Sequence, residues 1–271
     1  MKRIAISALL FASAAVCLGD ALFGPFLGQL SSTGAGNNGA AAVVCNPLTD
    51  VAGIKVWLKI DSLNGTSNGS SISAWNDSST NALNFSQATG ATQPTYSTTG
   101  GPGSTPAVVF TGGSQYMASA TMTQAQPITV FIILQTTVTG AVSPFVWGTG
   151  GSASMSMALS NGKYSMNAGT ALNNTVNADT NWHVWAGIFN TTSSEFWIDG
   201  GAAAAGPATT GSGSFSTQAM DIGTAASNTS IGWKGDVTDL LVYSGALTVG
   251  QINTVANCIA GLRGLTWTTA F

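Results

Sequence analysis

The strongest constraint in this sequence is its rhythm. From Val51 to Tyr243, short apolar or alternating runs are cut every few residues by Gly, Ser, Asn and Pro. Runs of that length bounded by turn formers read as strands, because a helix needs an apolar stripe sustained over ten or more residues. The clearest are Ile54–Ile60, Ala107–Thr111, Ile128–Thr136, Pro144–Trp147, Ser154–Leu159, Tyr164–Asn167, His183–Phe189, Glu195–Ile198 and Val237–Tyr243. Asn161-Gly162 and Asp199-Gly200 interrupt or follow such runs, and both pairs tolerate the positive φ that a tight hairpin demands. Ile128–Leu134 is apolar almost throughout, which predicts a central strand covered on both faces. One helix is expected near the end. Thr248 and Gln251 form a capping box, Val249, Ile252, Val255 and Ile259 recur at helical spacing, and Gly261 to Gly264 would stop it. Many short strands closed by one helix predict an all-β antiparallel sandwich.

The first 42 residues are of another kind. Met1-Lys2-Arg3 precedes an uncharged apolar stretch from Ile4 to Gly19, and after Asp20 the residues Leu22, Phe23, Pro25, Phe26 and Leu27 prolong its character. Two readings fit residues 1–30. A cationic start, an apolar run and Ala12-Ser13-Ala14 are the marks of a secretory signal peptide. Retained, the same residues make an apolar arm that a partner has to cover. The run is short for a membrane span of about 20 residues. The arm is the favoured reading. Ser31 to Ala42, made of Gly, Ser, Asn, Ala and Thr, is a flexible linker over 31–42, which leaves one globular domain over 43–271.

Charge is scarce enough to remove whole classes of function. Seven Lys and Arg face ten Asp and Glu, and no charged residue lies between Asp77 and Lys163. So few cations cannot line a phosphate-neutralising groove, so nucleic acid is not an expected partner. Acid–base chemistry is starved as well. Glu195 is the single Glu and His183 the single His. Glycoside hydrolysis needs two carboxylates flanking the bond, and the next acid after Glu195 is Asp199, already in the turn. Glu195 reads as a solvated strand residue and His183 as a strand residue bonded to a loop. No Gly-x-Ser-x-Gly elbow supports a serine hydrolase. The chain is expected not to be an enzyme.

A resemblance adds to this. Val56-Trp57-Leu58-Lys59-Ile60-Asp61-Ser62, Ile72-Ser73-Ala74-Trp75-Asn76-Asp77-Ser78-Ser79 and Gln93-Pro94-Thr95-Tyr96 look like the opening of laminin-G-like domains. Pro106-Ala107-Val108-Val109-Phe110-Thr111-Gly112, Trp182-His183-Val184, Phe196-Trp197-Ile198-Asp199-Gly200 and Gly235-Asp236-Val237-Thr238-Asp239-Leu240-Leu241-Val242-Tyr243 follow in the same order. Over roughly residues 50–263 the chain thus resembles the concanavalin A-like lectin/glucanase superfamily, which implies a jelly-roll sandwich of two antiparallel sheets.

The resemblance carries further expectations. Such domains often hold Ca²⁺ at the sandwich rim through oxygen ligands, and Asp77 with Asn76 and Asn81 is the best oxygen cluster, although these are also ordinary turn formers. No other cofactor is implied. Trp57 and Trp75 fall where the family packs its core, leaving Trp147 and Trp233 as candidate platforms for a glycan. The two ends of such a domain lie close together, so Cys45 and Cys258 are a candidate disulfide, the alternative being two buried thiols. Two settings remain open. The first is a virion structural protein, a phage capsid decoration, fibre or tail-associated subunit at the virion surface. Its N-terminal arm would dock on other virion or surface proteins, or bundle copies into a homo-oligomer. The second is a secreted or cell-surface bacterial carbohydrate-binding or adhesion module with a cleaved signal peptide.

Overall fold

The computed structural model describes residues 45–148, 154–213, 215–224 and 231–271. The arm residues Leu22, Phe23, Pro25, Phe26 and Leu27 lie outside them. A short helix α1 (Pro47–Asp50), capped by the Asn46 side chain, precedes the strands. In chain order these are β1 (Ile54–Lys59), β2 (Ala74–Trp75), β3 (Phe85–Ser86), β4 (Thr95–Ser97), β5 (Ala107–Thr111) and β6 (Met117–Ser119). Then come β7 (Met122–Gln124), β8 (Ile128–Thr136), β9 (Val142–Trp147), β10 (Met155–Ser160), β11 (Lys163–Asn167) and β12 (Ala171–Asn177). The last six are β13 (Trp182–Phe189), β14 (Ser194–Ile198), β15 (Ala205–Ala208), β16 (Phe215–Gln218), β17 (Met220–Ile222) and β18 (Lys234–Ser244), followed by helix α2 (Val249–Leu262).

These strands form two antiparallel sheets laid face to face. One has the order β15-β14-β13-β8-β18-β5-β4, with β1 also paired to β18; the other runs β12-β11-β10-β9-β17-β6-β3-β2. A small ladder joins β7 to β16. Between the sheets lies a core that includes Val56, Trp75, Phe85, Phe110, Phe145, Trp147, Trp185 and Trp233. The all-β sandwich with one closing helix is therefore as the sequence predicts.

The apolar run Ile128–Leu134 has a specific cause. Val130, Ile132 and Leu134 of β8 enter the core between the sheets, whereas Phe131 and Ile133 enter a second cluster on the outer face. Helix α2 covers that face with Ile252, Val255, Ala256 and Ile259. A strand sandwiched in this way has no solvent side to leave polar. The capping box of α2 is complete, with Thr248 and Gln251 each accepting from the other's backbone N–H. Asn161-Gly162 (φ 52° and 73°) and Asp199-Gly200 (φ 56° and 84°) both make turns with two successive positive φ values, as their sequence demands. Cys45 and Cys258 form a disulfide with Cα atoms 5.5 Å apart, tying the chain just before α1 to the middle of α2.

Nine of the eighteen described strands lie outside the runs named from the sequence, β12 and β17 among them. β12 reads Ala-Leu-Asn-Asn-Thr-Val-Asn, and only Leu172 and Asn174 of it are buried, because it is the edge of its sheet. β17 is three residues long, yet it sits between β9 and β6 in the middle of that sheet. Its pairing, not its own composition, makes it a strand.

Candidate functional site

The two tryptophans singled out as glycan platforms are not at the surface. Trp147 is fully buried, flanked across the ladder by Met155 and Met220, and its indole N–H donates to the Gln218 carbonyl at 3.2 Å. Trp233 is also fully buried in the core between the sheets. The sequence places both beside Gly-rich turns, but the inward half of the strand alternation claims their rings.

The oxygen cluster at Asp77 does not fit a cation. Asp77 Oδ1 accepts from the backbone N–H groups of Trp57 (2.9 Å) and Ser79 (2.8 Å). Oδ2 accepts from the Ser79 hydroxyl (2.6 Å) and the Leu83 N–H (2.9 Å). A carboxylate offers about four lone-pair directions, and here protein donors occupy all of them. The Asn81 amide likewise donates to the Ile54 and Lys55 carbonyls, and Asn76 is exposed. These residues fasten the β2–β3 loop to β1. Among the described residues, no group of three or more His, Cys, Asp or Glu is placed to hold a metal ion.

The open chemistry lies on the outer face of the helix-bearing sheet, past the end of α2. Antiparallel partners put their side chains on one face, and five consecutive partners line up here. Thr95 of β4 pairs with Val109 of β5, Val109 with Asp236 of β18, Asp236 with Gln135 of β8, and Gln135 with Trp182 of β13. The register of β18 against β8 slips between Val237 and Asp239, which keeps Asp236 and Asp239 both on this face. All five residues are half-buried. Beside the row opens a cleft of about 460 Å³ lined by Val109, Phe110, Thr111, Thr137, Val138, Lys234, Gly235 and Asp236. Trp182 lies two strand spacings, about 10 Å, from Asp236. An aromatic ring, an apolar wall, two hydroxyls and a carboxylate thus share one stretch of surface.

The electrostatics separate Asp236 from its neighbour Asp239. Asp239 is buried and accepts from Arg263 Nε (2.5 Å) and Nη2 (3.0 Å) and from the Trp57 indole N–H (3.3 Å). Arg263 also grips Asp61 with both Nη atoms. Asp236 has no hydrogen-bond or ion-pair partner among the described residues, and burial pushes its carboxyl up to about 6. Glu195, expected to be solvated, is half-buried, and burial raises its carboxyl too. His183 does bond to loop residues: Nδ1 meets Asp199 Oδ2 at 2.6 Å and Nε2 meets Asp179 Oδ1 at 2.9 Å. Both ring nitrogens are taken, so His183 has no lone pair to offer a substrate or metal.

A laminin-G model described as the concanavalin A-like lectin/glucanase superfamily matches residues 111–253, more than half of the chain. The chain belongs to this superfamily. Its lectin-like sandwich is similar to domain 4 of AbnA, an extracellular arabinanase from Geobacillus stearothermophilus solved in complex with arabinotriose. That similarity has TM-score 0.53 and 14% identity, over 75% of this chain and 98% of that one. The binding domain of Paraclostridial Mosquitocidal Protein 1 is similar at TM-score 0.53 and 10% identity, over 76% of this chain and 52% of that one. Trypanosoma rangeli sialidase, in complex with 2,3-difluorosialic acid, matches at TM-score 0.53 and 13% identity over 76% of this chain. The lectin-like chain covers only 33% of the sialidase. At these identities the likeness is one of fold. No curated protein matches the sequence.

Proposed function

We propose that this chain is a non-catalytic carbohydrate-binding module whose ligand lies along the row from Trp182 to Thr95. The observation that carries the reading is the row itself: an aromatic, an amide, a carboxylate and a hydroxyl in register beside a cleft. Aromatic surface plus a few placed polar groups is the chemistry that holds a sugar ring. The arabinanase domain bound to arabinotriose supports the choice of ligand class. The absence of a second acid supports binding over turnover. Asp236 is the single carboxylate lining the cleft, Asp239 is committed to Arg263, and hydrolysis takes a pair.

Calorimetric titration of the full chain with arabinotriose and a panel of neutral oligosaccharides tests this. Binding that weakens at least about tenfold in Trp182→Ala, with the melting temperature held, is the expected result. Binding indifferent to both Trp182→Ala and Asp236→Asn would place the ligand elsewhere and sink the proposal.

The setting we propose is a virion surface, with residues 1–30 as the attachment arm, copies of the chain bundling through it, and the sandwich displayed outward. The apolar residues Leu22, Phe23, Pro25, Phe26 and Leu27, followed by the Gly/Ser/Asn/Ala-rich stretch 31–42, support this reading. The alternative is a secreted or cell-surface module. Intact-mass measurement of the mature protein separates them: loss of a segment ending near Ala14 to Gly19 rules out the arm.

A further inference from the structure

We infer that the cleft beside Asp236 selects a ligand bearing a protonated amine, and that the ligand class is an amino sugar. The sugar scaffold rests on the carbohydrate reading above; the amine rests on the unpartnered Asp236 carboxylate.

The argument starts from what surrounds the carboxylate. Its cross-strand neighbours are Val109 and Gln135, and the cleft is further lined by Phe110, Thr111, Thr137, Val138, Gly235 and Lys234. Of these only Lys234 bears a charge. Gln135 is spoken for, since its amide donates to the Thr180 carbonyl at 2.5 Å. Lys234 is the one cation lining the cleft. Its aliphatic stem lies over Gly112, so closely that a methyl group added there would come within 2.8 Å of Lys234 Cγ. No ion pair joins Lys234 to Asp236.

Several other acids of this domain are partnered, whereas Glu195 on β14 is half-buried as Asp236 is. Asp61 and Asp239 have Arg263, Asp77 has four donors, and Asp199 has His183 and the Val184 N–H. Asp236 has lost part of its water to apolar neighbours and has received nothing in exchange. Its raised titration, to about 6, is what such a site produces. A ligand ammonium would supply a charge-assisted N⁺–H···O⁻ bond, roughly twice as strong as a neutral one. A carboxylated or sulfated sugar would be repelled. The Thr111 and Thr137 hydroxyls are left for the ring oxygens.

The experiment uses the full chain near neutral pH and three trisaccharides: the glucosamine trimer, its N-acetylated counterpart and arabinotriose. Affinity is measured by calorimetry and the site by NMR shifts at Val109 and Gln135. The glucosamine trimer should bind about tenfold more tightly than the N-acetylated form, and Asp236→Asn should erase that difference between the two. Equal affinity for the two, or a difference that survives Asp236→Asn, overturns the amine inference. Shifts at Val109 and Gln135 with arabinotriose but no amine gain would leave the carbohydrate reading standing without it. A simple diamine that binds at Asp236 when no sugar does would sustain the charge argument and refute the carbohydrate reading. No shift at either residue with any of these probes refutes both.

Discussion

Arg263 donates to Asp239 through Nε at 2.5 Å and Nη2 at 3.0 Å, and this pair fixes where α2 ends on the sheet. Both side chains are buried, at 7% and 1% exposure, so the interaction is not screened as a surface pair would be. Removing one partner leaves a buried charge without its counter-charge. Arg263→Met should therefore cost about 3–5 kcal/mol in denaturant unfolding. Asp61→Asn should cost at most about 1 kcal/mol, because its side chain is 40% exposed. Equal losses from the two variants would contradict this division.

Asp77 offers the second test. Its four acceptor contacts predict that Asp77→Ala destabilises by about 2 kcal/mol or more, since the donors of Trp57, Ser79 and Leu83 lose a buried partner. The same occupancy predicts that calcium and chelator leave the melting temperature of the native chain unchanged. A calcium-dependent rise abolished in Asp77→Ala would reverse the reading.

His183 sets a pH dependence. Burial works against its protonated form, but the hydrogen bonds and charges of Asp199 and Asp179 outweigh that and raise its pKa above the ordinary 6.5. A raised histidine stabilises the fold fully below its unfolded value and loses that contribution as pH climbs through the folded one. Asp179 shifts the other way: desolvation opposes its charge, the His183 hydrogen bond prevails, and its carboxyl is lowered. Its contribution is present above the ordinary carboxylate range and fades as pH falls through the lowered value. Melting temperature should thus decline from mildly acidic toward alkaline pH, and His183→Gln should flatten that decline.

The Cys45–Cys258 bond closes a loop of 213 residues. In the chain-entropy account its removal costs about 5 kcal/mol. Unfolding of Cys45→Ala/Cys258→Ala against the native chain, both in oxidising buffer, measures it. A loss under about 1 kcal/mol would mean that the unfolded chain is already compact there.

Gly200 carries a φ of +84°, and a Cβ there would lie 1.6 Å from the Thr268 carbonyl oxygen. Thr268 laces onto the Asp199-Gly200 turn through its N–H to Asp199 (2.9 Å) and its carbonyl to the Gly201 N–H (3.1 Å). Gly200→Ala should cost roughly 1–3 kcal/mol. It should also speed amide exchange over residues 265–271 more than elsewhere, and uniform exchange would count against the tie.

Much of this was readable from the residues, because periodicity and turn chemistry are local. Ile128–Thr136, the Thr248–Gln251 box and the two hairpin dipeptides each announce themselves within a few positions. The candidate site was not, because a site is a matter of register. Trp147 and Trp182 look alike in the chain. One is drawn into the core between Met155 and Met220, and the other pairs with Gln135 on the outer face. The alternation Trp182, Val184, Ala186, Ile188 puts Trp182 on the face of residues that pack under α2, and it could have flagged this tryptophan. Nothing local distinguishes Asp236 from Asp239. The slip after Val237 and the arrival of Arg263 from α2 decide which acid is neutralised.

β18 pairs with β1, β5 and β8 at once, and its Leu240–Tyr243 segment is the partner that β1 needs. About 180 residues separate the two, so a ribosome working at 5–20 residues per second would deliver the second roughly 10–40 s after the first. Through that interval Val56, Trp57 and Leu58 wait as an unpaired apolar edge. Folding of this chain is therefore a late and nearly simultaneous event. The producing cell has to shelter a sticky nascent sandwich until its last strand is made.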